Sequence, residues 1–211
     1  MQTVERPSSN SIPSVMPIDR EMWAKQLHLS NFVNSYRQYA DIQKCGGRKI
    51  LIIGPGQGLD TAVLRWRGYD VTTFDIDETF KPDCLGSVHD MSQFKAKQFD
   101  IVTASHVLEH LPVTYLDAAL AELSRVALHA LIYLPVAGRH GQVRCDLGVR
   151  GLSFAICWDL FNFLEKPDGV TPRYCGGQHY WEVGMRGFRV RQLKKRFENH
   201  FSAVNSYRNH D

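Results

Sequence analysis

The chain has 211 residues, 44% of them apolar and 22% charged, with a formal net charge of +3. That length and balance fit one domain with a single buried core and exclude wholesale disorder. No uncharged apolar run approaches the roughly 20 residues of a membrane span, because the stretch 155–164 is short and broken by Asp159.

Residues 1–17 hold three Pro and four Ser with little apolar pattern, which predicts a loose tail ahead of one domain over 18–211. Residues 19–42 place Met22, Leu29, Phe32, Val33, Tyr36 and Ala40 on one helical face. Such a stripe predicts core packing, with Trp23, Tyr36 and Tyr39 able to wall a pocket.

After Lys49, Ile50 to Ile53 is a continuous run of four branched apolar residues, as in a parallel strand buried on both faces. It empties into Gly54-Pro55-Gly56-Gln57-Gly58, where glycines allow a sharp turn and let a ligand lie on bare backbone. A helix over 59–67 and a second strand over 69–75 follow, the strand ending in Asp75-Ile76-Asp77. A carboxylate at that tip can accept both hydroxyl protons of a ribose. A dinucleotide fold wants G-x-G-x-x-G, but Leu59 stands where its third glycine belongs, which disfavours a nicotinamide-dependent oxidoreductase.

A short third strand over 85–88 leads to Asp90-Met91, where a carboxylate can accept from an adenine amino group. A fourth strand over 99–105 runs into Ser105-His106-Val107-Leu108-Glu109-His110-Leu111-Pro112. A helix over 114–128 opens on Thr114-x-x-Asp117, a capping pattern, and presents Leu116, Leu120, Leu123 and Val126 to the core. A fifth strand over 130–134 stops at Pro135. The alternation predicts an α/β architecture: a Rossmann-like, doubly wound, mostly parallel sheet with helices on both faces.

With the G-x-G-x-G turn, the acid after strand two, the Asp90 corner and the F-D-I-V…L-E-H-L-P block in order, the chain resembles the class I S-adenosylmethionine-dependent methyltransferases over about residues 48–135. The resemblance implies S-adenosyl-L-methionine as cofactor, held by Gly54, Pro55, Gly56, Gly58, Asp75, Ile76, Asp90, Met91, Ser105 and His106. It implies methyl transfer to a hydroxyl or amine. One departure stands out: the family usually carries an acid two residues before the first glycine, and this chain has Ile52. That favours, as an alternative, a non-catalytic cofactor-binding or regulatory module.

His106, Glu109 and His110 fall at i, i+3 and i+4, on one face of a helical turn. Three readings follow: His106 or His110 as general base, the trio as ligands of a divalent metal, or Glu109-His110 as a structural tie. The base reading names His106 and His110 as catalytic. No metal is expected, and His106, Glu109 and His110 are the ligands if one binds.

Residues 136–187 read as an insertion with a short helix near 153–164, placed where open α/β sheets bind ligands. Between 136 and 196 there are eleven Lys or Arg against five Asp or Glu, which suggests a small acidic or saccharide-like acceptor. Arg139, His140, Tyr180 and Trp181 are the candidate substrate residues. Nucleic acid is disfavoured, since no N/D-P-P-Y-type motif follows strand four. Cys175 and His179 lie four apart in a Gly-Gly loop, which alone makes no site. A last helix over 187–200 and one strand over 204–207 complete the chain, without room for the second strand of the family's closing hairpin. Five cysteines without C-x-x-C pairing, and an N-terminus without a secretory pattern, predict a reducing, cytoplasmic setting.

Overall fold

A computed structural model describes residues 28–147, 152–160 and 166–207. The expected tail, Met22 and Trp23 lie outside the described residues. The elements are α1 (Leu29–Cys45), β1 (Lys49–Ile53), α2 (Leu59–Trp66), β2 (Asp70–Asp75), β3 (Cys84–Leu85), β4 (Phe99–Ser105), α3 (Val113–Val126), β5 (Ala127–Tyr133), β6 (Arg139–Leu147), β7 (Leu152–Leu160) and α4 (Val190–Phe197). Single 3-10 turns occupy Glu78–Phe80 and Leu108–His110.

Strands β1 to β5 form one parallel sheet in the order β3-β2-β1-β4-β5. Its core explains the unbroken apolar run in β1. Ile50 and Ile52 pack with Ile42, Leu64, Val71 and Ile101 on one face, while Leu51 and Ile53 join Phe74, Phe99, Leu116, Leu120 and Trp181 on the other. A strand covered on both sides has no polar face to alternate with.

Several expectations are corrected. In α1 the predicted stripe is not the buried face: Leu29, Phe32 and Tyr36 are exposed, and Gln38, Asp41 and Ile42 turn inward. Polar anchors decide this orientation, because Asp41 accepts from Lys44 and Tyr133 at 2.9 Å each and from the Tyr207 hydroxyl. Burial opposes ionisation of Asp41, but those three donors outweigh it and hold its pKa below the usual carboxylate range. Helix α3 begins at Val113, so Thr114 lies inside its first turn and caps nothing. Asp117 instead takes a forked pair of bonds from Arg196, 2.7 and 2.9 Å long, tying α4 to α3.

The helix expected near 153–164 is a strand. β7 pairs antiparallel with β6, from Arg139 opposite Leu160 to Leu147 opposite Leu152. The apolar residues Leu152, Phe154, Ile156, Trp158 and Leu160 recur at every second position, the period of a strand rather than a helix. Residues 204–207 form no strand, since Asn205 and Ser206 have poor strand propensity, and Tyr207 reaches Asp41 instead. No helix among the described residues is long and apolar enough to cross a membrane.

Candidate active site

In the order β3-β2-β1-β4-β5 the chain leaves β1 toward β2 on one side and returns to β4 on the other. The switch point therefore lies between the C-terminal ends of β1 and β4, where open α/β sheets form a ligand crevice. Gly54 to Gly58 forms one wall. Gly54 has φ +65°, and a Cβ there would lie 2.6 Å from Val107 Cγ2, so the turns after β1 and β4 meet only because position 54 has no side chain. Gly58, at φ +79°, starts α2 with nothing within 4 Å of a notional Cβ, leaving open backbone at the helix N-terminus.

Asp75 stands at the tip of β2, its Oδ1 accepting the Asp77 N–H at 2.9 Å. Burial pushes its carboxyl above the usual range, the Asp77 N–H only partly offsetting this. Ile76 beside it is half exposed, an apolar lip. Asp90 is exposed and its Oδ1 accepts the Ser92 N–H at 3.2 Å, whereas Met91 is buried. The Met91 N–H donates to Glu122 Oε2 at 2.7 Å and its carbonyl accepts from Arg125 Nη2 at 2.8 Å, so its backbone is already engaged. This Glu122–Arg125 clasp, which positions the Asp90 corner, carried no sequence signal beyond an i, i+3 acid–base pair.

At the end of β4, Ser105 Oγ accepts from Gln38 Nε2 of α1 at 3.2 Å. The position two residues before Gly54 holds buried Ile52. Asp60, in the first turn of α2, supplies a carboxylate on this side, buried with Oδ1 unpartnered and pushed upward in pKa by burial against help from Ser35 and Gln38.

His106 takes a left-handed backbone, φ +53°, and its N–H donates to the Tyr133 carbonyl at 3.0 Å. Its half-exposed ring sets Nδ1 3.3 Å from Oε1 of Glu109, which is 0% exposed. That carboxylate raises the His106 pKa, against the opposing pull of burial. The His110 ring is held differently: its Nδ1 lies 3.2 Å from the Gln178 carbonyl, its ring meets His179 edge-on at 4.7 Å, and burial lowers its pKa, more than the Glu109 carboxylate raises it. The Tyr180 N–H donates to the Glu109 carbonyl at 2.8 Å, stitching the 108–110 turn to the returning segment.

His179, with its Nδ1 2.8 Å from Glu182 Oε1, therefore belongs to the same cluster. Among the described residues, donor atoms of Glu109, His110 and His179 come within 4.8 Å of one another, a grouping that shares two members with the expected His106, Glu109 and His110. Of the residues expected to meet a substrate, Tyr180 and Trp181 are buried, Trp181 stacked on Phe188 with centroids 4.9 Å apart, and Arg139 and His140 open β6. Cys45, Cys84 and Cys175 are free thiols.

Residues 51–129 match the family model described as a methyltransferase domain. Among curated proteins none matches the chain. Solved structures similar to it include the PH0226 protein from Pyrococcus horikoshii OT3, at 24% identity over 38% of this chain and 44% of that one, TM-score 0.33. A SAM-dependent methyltransferase from Archaeoglobus fulgidus aligns at 20% identity over 59% and 52%, TM-score 0.36. CalS10, an amino pentose methyltransferase from Micromonospora echinaspora, aligns at 14% identity over 60% and 61%, TM-score 0.43. The chain thus spans from 44% to 61% of the length of these structures.

Proposed function

We propose that the chain is a class I, S-adenosylmethionine-dependent methyltransferase that methylates a hydroxyl or amine of a small acceptor, a reading supported by the match of residues 51–129 to a methyltransferase domain and by the strand order. One observation carries this reading: the glycine turn, Asp75 and His106 each follow or end a neighbouring strand, β1, β2 and β4, on the C-terminal side of the sheet where the switch point lies. Open backbone at Gly58, a carboxylate at Asp75 and an apolar lip at Ile76 suit the amino-acid end, the ribose and the adenine in turn. Asp60 is our candidate for the ammonium group, in place of the acid missing at Ile52.

When bound, S-adenosylmethionine supplies a methyl carbon on a sulfonium, and the sulfur departs with the bonding pair. The protein then has to hold the acceptor in line, and such orientation lowers barriers by roughly 7–11 kcal/mol. As the acceptor's O or N bonds to the methyl carbon it must shed a proton. His106 is the group to take it, being half exposed and backed by Glu109, whereas His110 is buried with Nδ1 already engaged.

Ile52 favours the second reading, a cofactor binder without turnover. Calorimetry against S-adenosylhomocysteine and NAD tests both the family and the oxidoreductase alternative. Binding of the first and not the second is expected, and the reverse would overturn the assignment. Turnover on a panel of hydroxyl and amine acceptors then separates enzyme from binder.

A further inference from the structure

Glu109 is fully buried, with His106 Nδ1 3.3 Å from Oε1 and no hydrogen bond of good geometry to either carboxylate oxygen. A buried carboxylate served by one distant imidazole is costly, and ring packing between His110 and His179 does not account for it. The surrounding chemistry does. His110 keeps Nδ1 at the Gln178 carbonyl and His179 keeps Nδ1 at Glu182, so both rings carry the Nδ1–H tautomer and turn the Nε2 lone pair elsewhere. Imidazoles anchored at one nitrogen by a carbonyl or carboxylate, beside a buried carboxylate with spare acceptor capacity, form a metal-ligand set.

We propose that Glu109, His110 and His179 bind a divalent transition-metal ion, with Glu182 and the Gln178 carbonyl orienting the two histidines. Two imidazoles and one carboxylate suit Zn²⁺, Fe²⁺, Co²⁺ or Mn²⁺. The donor atoms all lie within 4.8 Å of one another, a spacing that small side-chain movements bring to the metal–ligand bonds of about 2.0–2.2 Å. Three protein ligands leave a position for an outside oxygen. That this oxygen belongs to the methyl acceptor rests on the function proposed above, whereas the ion site itself does not.

The test titrates the metal-free full chain with Co²⁺ alone and then Zn²⁺ alone, read by visible absorption and calorimetry. One equivalent of Co²⁺, with d–d bands and no thiolate charge-transfer band, is expected, and Cys175→Ser should leave it unchanged. Glu109→Gln and His179→Ala should abolish uptake, and Glu182→Gln should weaken it by about 10–100-fold. No stoichiometric uptake by the wild-type chain, or uptake unaltered in folded Glu109→Gln and His179→Ala, overturns the proposal, and if neither variant folds the wild-type spectrum decides. S-adenosylhomocysteine binding is measured on the same samples. Metal uptake without nucleoside binding would remove the methyltransferase reading and keep the ion site, and the opposite result would do the reverse.

Discussion

The two ends of the crevice are built on different principles. At the β1–β2 end the candidate binding groups come from one local turn, Gly54 to Gly58, and from the strand beside it, where Gly54 N–H donates to the Phe74 carbonyl at 2.9 Å. At the β4 end they are side chains, and the cluster closes only when the chain returns 68 residues later to set the Gln178 carbonyl against His110. Backbone and one carboxylate make a binding surface indifferent to what reacts. Imidazoles and a buried Glu make a surface with chemistry of its own.

The largest expected effect falls on the second end. His106→Gln should cut turnover by about 10²–10⁴-fold, the usual scale for a general base. Calorimetry should show S-adenosylhomocysteine binding unchanged, because the His106 N–H is spent on the Tyr133 carbonyl and is kept by glutamine. If cofactor affinity fell in parallel with turnover, the division between a binding end and a reacting end would fail.

Asp75→Asn probes the first end, with a smaller effect. A charge-assisted bond to a ribose hydroxyl is worth about 1.5–3 kcal/mol, so the dissociation constant for S-adenosylhomocysteine should rise by about 10–100-fold. Unliganded stability should move the other way. Burial raises the Asp75 pKa, so ionised Asp75 costs stability above the carboxylate's unfolded pKa, and that cost vanishes as pH falls below it. The variant should therefore melt higher than wild type at neutral pH, with the gap closing toward about pH 4. Equal melting temperatures at pH 7 would mean that partial burial does not penalise the Asp75 carboxylate.

The same contrast explains what could be read from the sequence. β1, its glycine turn and Asp75 were legible because a two-sided strand leaves an unbroken apolar run and the turn chemistry is contiguous with it. His179 was not, because a histidine between two glycines and Tyr180 gains meaning only from its neighbour across the fold. A clue was present in Glu182, an acceptor three residues on for one nitrogen of the His179 ring. Tyr180 and Trp181, read as substrate contacts, are core residues, since an aromatic pair has the same composition in a wall as in a pocket. The α1 stripe failed for a related reason: periodicity ranks faces by hydropathy, whereas buried Asp41, with its tyrosine and lysine donors, set the orientation of that helix.

The smallest effect lies at the N-terminal end of the strands, away from the crevice, and serves as a control for both of its ends. Asp100 Oδ2 accepts the N–H groups of Arg48 and Lys49 at 2.8 and 2.9 Å, fixing where β1 begins. Those two donors hold its carboxyl below the usual range, more than burial raises it. Its contribution is therefore present above the unfolded carboxylate pKa of about 3.9 and lost as pH falls through the lower folded value. Asp100→Ala should lower unfolding free energy by about 1 kcal/mol at pH 7 and by less in acid, measured by urea denaturation. Because β1 separates this anchor from the crevice, S-adenosylhomocysteine affinity and metal uptake should both stay at wild-type values. A change in either would mean that the start of β1 is coupled to the site, and that the crevice is not the rigid product of strand order inferred here.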